Sequence, residues 1–247
     1  MTSLNESIEG RQSPTLTPRA LFVIATAALS AFVALRWAVA TGGRVVAMDH
    51  HVLRWVLAHR EPLLTTTFRA ITSLGDVRAV VAVGAFGVGA LIYRQRRDLA
   101  LVLVLSSAGT WLFVNGVKLL VQRPRPPEAV RLVTASGWSF PSGHAGQGAA
   151  MYLAIGVLVV LTARGRATQI AALAAGSAAA LLIGVSRIYL GVHWTSDVIA
   201  GWSLAIAWLA VLLAAAACRR RQRTSAGTCS PTSAASAPSD PSSRGAD

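Results

Sequence analysis

The chain has 247 residues, 53% of them hydrophobic and 13% charged, with 23 basic residues, ten acidic ones and a formal net charge of +13. A soluble domain carries roughly a quarter of its residues charged. That deficit, with a mean hydropathy of +0.53 and apolar runs too long for a soluble core, excludes an ordinary cytosolic protein, a disordered chain and a disulfide scaffold.

In chain order, residues 1–18 are polar and read as a disordered leader. Residues 20–40 are apolar apart from Arg36 and predict a first transmembrane helix. Ala38-Val39-Ala40 is a small-x-small site that a signal peptidase could use, but the leader is long and acidic for such a peptide. Between 41 and 78 the composition is mixed. Met48, Val52 and Val56 lie four apart, as do Leu53 and Leu57, with His50, His51 and Arg54 between them. This spacing predicts an amphipathic helix lying in the interface. Pro62 ends it, and residues 63–74 are expected to form a second such piece.

Apolar runs follow at 79–93, 99–117, 145–163, 167–185 and 198–217, which with the first makes six spans. Most have the roughly 20 residues that cross about 30 Å of hydrocarbon; 79–93 is short and must borrow from its flanks. The expected fold is therefore an all-α, polytopic six-helix bundle, with the membrane domain over 19–218. A basic stop segment and a disordered tail are expected over 219–247. The short loops at 94–97 and 164–166 and the segment 219–223 are rich in arginine and fall on the same side as the N-terminus. The positive-inside rule makes that side cytoplasmic, so loops 41–78, 118–144 and 186–197 face outward. Both cysteines, Cys218 and Cys229, follow the last apolar run, so neither an outward disulfide nor a zinc site is expected.

Three outward segments carry chemistry-bearing residues. The first holds Lys118, the single lysine of the chain, and Arg125-Pro126 seven residues on. The second is Pro141-Ser142-Gly143-His144, just before the fourth span. The third is Ser186-Arg187, then His193, then Asp197. Arginine presents a planar fork suited to phosphate oxygens, and lysine adds a point charge. The prolines at 124, 126 and 127 stop a helix and hold Arg125 in a rigid turn. Ser142 and Gly143 stand where a helix begins, so amide N–H groups there can point at an anion, although a Ser-Gly before a helix is commonly a cap. His193 and Asp197 are one turn apart if that segment is helical. A carboxylate can then hold one ring nitrogen and leave the other free to attack. His144 is the second titrating group, able to protonate a leaving oxygen. Any one of these features is commonly structural, but together on one side of the membrane they describe an anion site with a nucleophile.

These segments resemble the signature of the type 2 phosphatidic acid phosphatase family: Lys-x6-Arg-Pro, Pro-Ser-Gly-His, and Ser-Arg-x5-His-x3-Asp. Every position is met, by Lys118, Arg125, Pro126, Pro141, Ser142, Gly143, His144, Ser186, Arg187, His193 and Asp197. The resemblance covers about residues 75–215. It implies that His193 attacks phosphorus and becomes a phosphohistidine, oriented by Asp197, while His144 protonates the leaving group and then activates water. Lys118, Arg125, Arg187, Ser142 and the Gly143 amide would hold the phosphate oxygens. Cations then stand where Mg²⁺ otherwise would, so no metal and no cofactor is implied. One histidine must start neutral and the other protonated, which gives a bell-shaped pH profile with its acid limb visible above about pH 4.

The implied partners are a lipid phosphate or pyrophosphate and membrane lipids, with no obligate protein partner. The implied location is the plasma membrane with both termini cytoplasmic. An undecaprenyl-type pyrophosphate is the first expectation for the substrate and phosphatidic acid the second. Two other readings use the same motifs: a lipid-phosphate binding or transport protein without turnover, and a vanadium haloperoxidase. The first has no need of both histidines and the aspartate, and the second resembles soluble proteins.

Overall fold

The computed structural model describes residues 17–227; most of the expected leader and most of the expected tail lie outside them. Among the described residues there is no strand, and the helices are α1 (Pro18–Thr41), α2 (Arg44–Ala58), α3 (Pro62–Ser73), α4 (Val77–Tyr93) and α5 (Arg97–Val121), then α6 (Gly143–Thr162), α7 (Arg166–Tyr189) and α8 (Thr195–Gly227). A π-helical stretch, Ala149–Leu153, interrupts α6. The protein is a multi-span membrane protein, as the apolar runs require. Five helices (α1, α5, α6, α7 and α8) are long and apolar enough to cross alone.

The short run at 79–93 borrows from its flank, since α4 begins at Val77. α3 and α4 together pass the same test as one span bent by 51°. Both ends of α3 nevertheless meet the motif end of the bundle, Thr65 at Tyr189 and Thr72 at Arg187, so residues 63–74 lie across that end as a piece separate from the α4 run. Tertiary contacts hold α3 in place. The Tyr189 hydroxyl donates to the Glu61 carbonyl and accepts from the Glu61 amide, and the Tyr189 ring lies 4.6 Å from that of Phe68.

α2 is amphipathic, with His50, His51 and Arg54 exposed as expected. Its buried stripe, however, is Asp49, Leu53 and Val56, and Met48 is exposed. A carboxylate takes a place that hydrophobic patterning assigns to an apolar side chain, because its partners come from distant segments. α8 also runs further than the apolar pattern, through the basic segment to Gly227; arginine, glutamine and alanine are good helix formers.

The core is layered along the bundle. At one end Leu21, Leu99, Leu103, Leu158, Leu209 and Leu213 join α1, α5, α6 and α8. Nearer the other end Phe32, Val114, Phe140, Ala200 and Leu204 pack together. There α6 meets α8 closely, since a Cβ on Gly201 would stand 2.6 Å from the Ser142 carbonyl oxygen. Only glycine admits that approach. Val56, Tyr189, Leu190 and Val192 close this end, the last three of them within the third motif segment.

Candidate active site

The third motif is built on the entry to α8. His193 lies in the turn before the helix, and Asp197 sits in its first turn. The one-turn relation between them is thus made by a helix start. The Asp197 Oδ2 accepts the Trp194 amide at 2.9 Å, the reach-back of a capping box. The Ser139 hydroxyl donates to the same oxygen, and His193 Nδ1 lies 3.4 Å from it. Oδ1 accepts from Arg123 Nη1 at 2.7 Å. Both oxygens of a fully buried carboxylate are therefore satisfied.

Arg125 Nη1 donates to His193 Nε2 at 2.9 Å. A guanidinium has only donors, so Nε2 carries a lone pair and the ring proton sits on Nδ1, facing Asp197. Burial pushes His193 down to about 3, with Asp197 acting in the opposite direction and Arg125 reinforcing the shift. The imidazole is consequently neutral far below the ordinary histidine range.

The remaining Arg125 donors go to carbonyls: Nη1 also to Val192 at 2.7 Å, Nε to Gly137 at 3.0 Å, and Nη2 to Ser136 at 3.0 Å and Trp138 at 3.2 Å. Burial lowers its pKa and Asp197 raises it. Arg187 is 5% exposed. Its Nη1 donates to Thr72 Oγ1 at 2.7 Å, and its Nε has no hydrogen-bond partner. Lys118 Nζ lies 4.0 Å from where a Cβ on Gly143 would stand, and it is within electrostatic reach of Arg125, Arg187 and Asp197. A buried guanidinium N–H without an acceptor, beside two further cations, is the donor set for an anion.

Ser142 has the cap role as well: its Oγ accepts the Ala145 amide at 3.4 Å, and its own amide donates to the Asp197 carbonyl at 2.9 Å. Gly143 opens α6, where the first amides have no intrahelical acceptor. His144 follows, and its Nε2 lies 2.8 Å from Asp76 Oδ1 at the start of α4. The Arg187 charge acts on both His144 and His193. All the motif residues are thus gathered at one end of the bundle.

Residues outside the sequence-derived set complete the surroundings. Arg123 Nη2 donates to Asp49 Oδ2 at 2.8 Å, and Asp49 Oδ1 accepts the Ser196 amide at 2.9 Å. Arg123 also donates to Ser196 Oγ at 2.7 Å and packs its guanidinium 5.4 Å from the Trp194 ring centroid. Arg123 and Ser139 hold Asp197, Asp49 and Ser196 hold Arg123, and Thr72 and Asp76 meet Arg187 and His144. One signal was available in the sequence: acidic residues are few, and Asp76 stands three residues before the apolar run 79–93, where charge is costly unless used.

Comparison with known proteins shows the family. The PAP2 superfamily profile matches residues 98–221, half of the chain, and the protein belongs to that superfamily. It is 34% identical over 169 residues to phosphatidylglycerophosphatase B of Bacillus subtilis, covering 66% of this chain and 80% of that protein. It is 30% identical over 127 residues to an undecaprenyl-diphosphatase of Sulfolobus acidocaldarius, covering 49% of this chain and 57% of the relative. Its fold matches the crystal structure of the transmembrane PAP2-type phosphatidylglycerolphosphate phosphatase of Bacillus subtilis, with a TM-score of 0.66 at 25% identity, over 89% of this chain and all of that one. Aquifex aeolicus LpxE matches with a TM-score of 0.54 at 26% identity, over 67% and 94% of the two chains. The protein is a membrane phosphatase of the PAP2 type acting on lipid phosphates.

Proposed function

We propose that the protein removes a phosphate from the head group of an outward-facing lipid through a phosphohistidine on His193. The observation that carries this reading is the hydrogen bond from Arg125 to His193 Nε2. It leaves a neutral, oriented lone pair inside a cluster of cations. A phosphoryl group arriving there displaces that bond and finds Lys118, Arg187 Nε and the Gly143 amide around it. Nε2 donates its pair to phosphorus, the P–O bond breaks toward the leaving oxygen, and His144 supplies that oxygen with a proton. In the second step His144 takes a proton from water, the oxygen attacks phosphorus, and the P–N pair returns to His193. Asp197 keeps the proton of His193 on Nδ1 throughout, as the third member of a triad does. This chemistry uses side chains and amides alone. Among the described residues no group of three or more His, Cys, Asp and Glu side chains is placed to hold a metal ion.

An apolar cleft of about 570 Å³ lies between α4 and α5, lined by Val77, Val80, Gly84, Leu103, Trp111 and Met151 among others. Its upper end adjoins Asp76, so an amphiphile can keep its tail in the cleft and its head at the histidines. The names of the relatives favour phosphatidylglycerophosphate or undecaprenyl diphosphate, and the more similar relative brings the former to the front. The arginine-rich ends of α4, α5, α6 and α8 lie opposite the site, and the positive-inside rule directs the site outward, at the plasma membrane.

The test is phosphate release by the detergent-purified protein in EDTA, from a panel holding both lipids and phosphatidic acid, with His193→Ala beside it. Release from one class, lost in the variant, is the expected result. Release that needs a divalent ion and survives in His193→Ala contradicts the mechanism.

A further inference from the structure

Two aspartates contact histidines in this site, and the PAP2 motifs account for only one of them. His144 Nε2 lies 2.8 Å from Asp76 Oδ1, and Asp76 belongs to no motif. It stands at the bend between α3 and α4, a place that other contacts make rigid. The Tyr152 hydroxyl, on α6 two turns beyond His144, donates to the Leu74 carbonyl at 2.8 Å. A Cβ on Gly75 would stand 2.7 Å from Ile183 Cγ2 and 3.1 Å from His144 Cδ2. The backbone of the bend is therefore pressed against the imidazole edge and against α7. Three consecutive residues, Leu74 to Asp76, meet α6 or α7 at separate points, so the carboxylate is held in a fixed direction relative to the ring.

We propose that Asp76 is the positioning residue of the acid–base histidine: it holds His144 through Nε2 and thereby assigns Nδ1 to the leaving oxygen. This rests on the proposed role of His144 as the acid. An imidazole presents two nitrogens, and a carboxylate on one fixes both ring rotation and the site of proton transfer. No group among the described residues bonds His144 Nδ1, which leaves it for the substrate. In the first step His144 begins as imidazolium. The Nδ1–H proton passes to the oxygen that departs with the P–O electron pair, and Nε2–H stays with Asp76. The ring is left neutral, with Nδ1 ready to take a proton from water in the second step.

A positioning role for an acid has a signature that a packing role lacks. A proton matters most for a poor leaving group and little for one that departs as a stable anion. The experiment measures kcat/KM of the whole protein in detergent on aryl phosphates of graded leaving-group acidity and on an alkyl phosphate. The ratio kcat/KM is chosen because hydrolysis of the phosphoenzyme does not enter it. The variants are Asp76→Asn, which is isosteric, Asp76→Glu, and His144→Ala with and without Asp76→Asn.

Asp76→Asn is expected to lose about 10- to 100-fold on the alkyl phosphate and less than about threefold on 4-nitrophenyl phosphate. Asp76→Glu recovers part of the loss, and adding Asp76→Asn to His144→Ala costs nothing more. Equal loss on every substrate, or no loss where His144→Ala is selective for poor leaving groups, overturns the role of Asp76. A His144→Ala variant without that selectivity removes the acid itself, and this inference falls with it.

Discussion

The two histidines are supported in opposite ways. His193 is 2% exposed, and its aspartate is fully buried and accepts from Ser139, Trp194 and Arg123 as well as facing the ring. Asp76 is 56% exposed and His144 27%, joined by a single contact. A nucleophile must hold one lone pair in one direction, and a buried, fully bonded network does that at the expense of mobility. An acid–base group exchanges protons with an alcohol and then with water, so it needs access, and one carboxylate is enough to set its ring. Depth goes with the proposed covalent role and exposure with the proposed proton-transfer role.

The largest expected break in this contrast is His193→Ala, which abolishes turnover to background in a phosphate-release assay. Asp197→Asn keeps the shape and loses orientation, with a fall in kcat of about 10³- to 10⁴-fold. His144→Ala loses about 10²- to 10⁴-fold on lipid substrates. Arg123→Met should act on the fold and on catalysis together, since it strands Asp49 and Asp197 as buried charges. A cost of about 3–5 kcal/mol is expected in a detergent unfolding titration, whereas exposed Asp76→Asn leaves the unfolding midpoint nearly unchanged.

The pH behaviour sharpens the same comparison. Burial lowers His193 to about 3, so the free protein keeps this ring neutral as pH falls, and histidine-labelled NMR should show no His193 titration above about pH 4. The unfolded chain takes up that proton below about 6.5. Stability contributed by the buried neutral ring is therefore present above 6.5 and lost as pH falls toward 3. The smallest effect is expected of Ser142→Ala, where loss of a helix cap costs about 1 kcal/mol and turnover falls least.

The membrane class, the helical bundle and the three motif segments were legible in the residues alone, because apolar run length and the spacing of Arg, His and Asp are local properties of a chain. Local patterning also placed Lys118, Arg125, Ser142, Gly143, His144, Arg187, His193 and Asp197 at one end of the bundle. It failed where the deciding partner is far away in sequence. Asp49 lies 147 residues from Ser196 and 74 from Arg123, so hydrophobic periodicity found Leu53 and Val56 in the buried stripe of its helix but took Met48 in place of Asp49. Residues 63–74 were legible as a separate piece, but not that Tyr189, more than a hundred residues on, ties them to α7. Which nitrogen of each histidine carries the proton was likewise a tertiary decision. It depends on whether a guanidinium or a carboxylate arrives at the ring, and only the packed bundle brings Arg125 to His193 and Asp76 to His144.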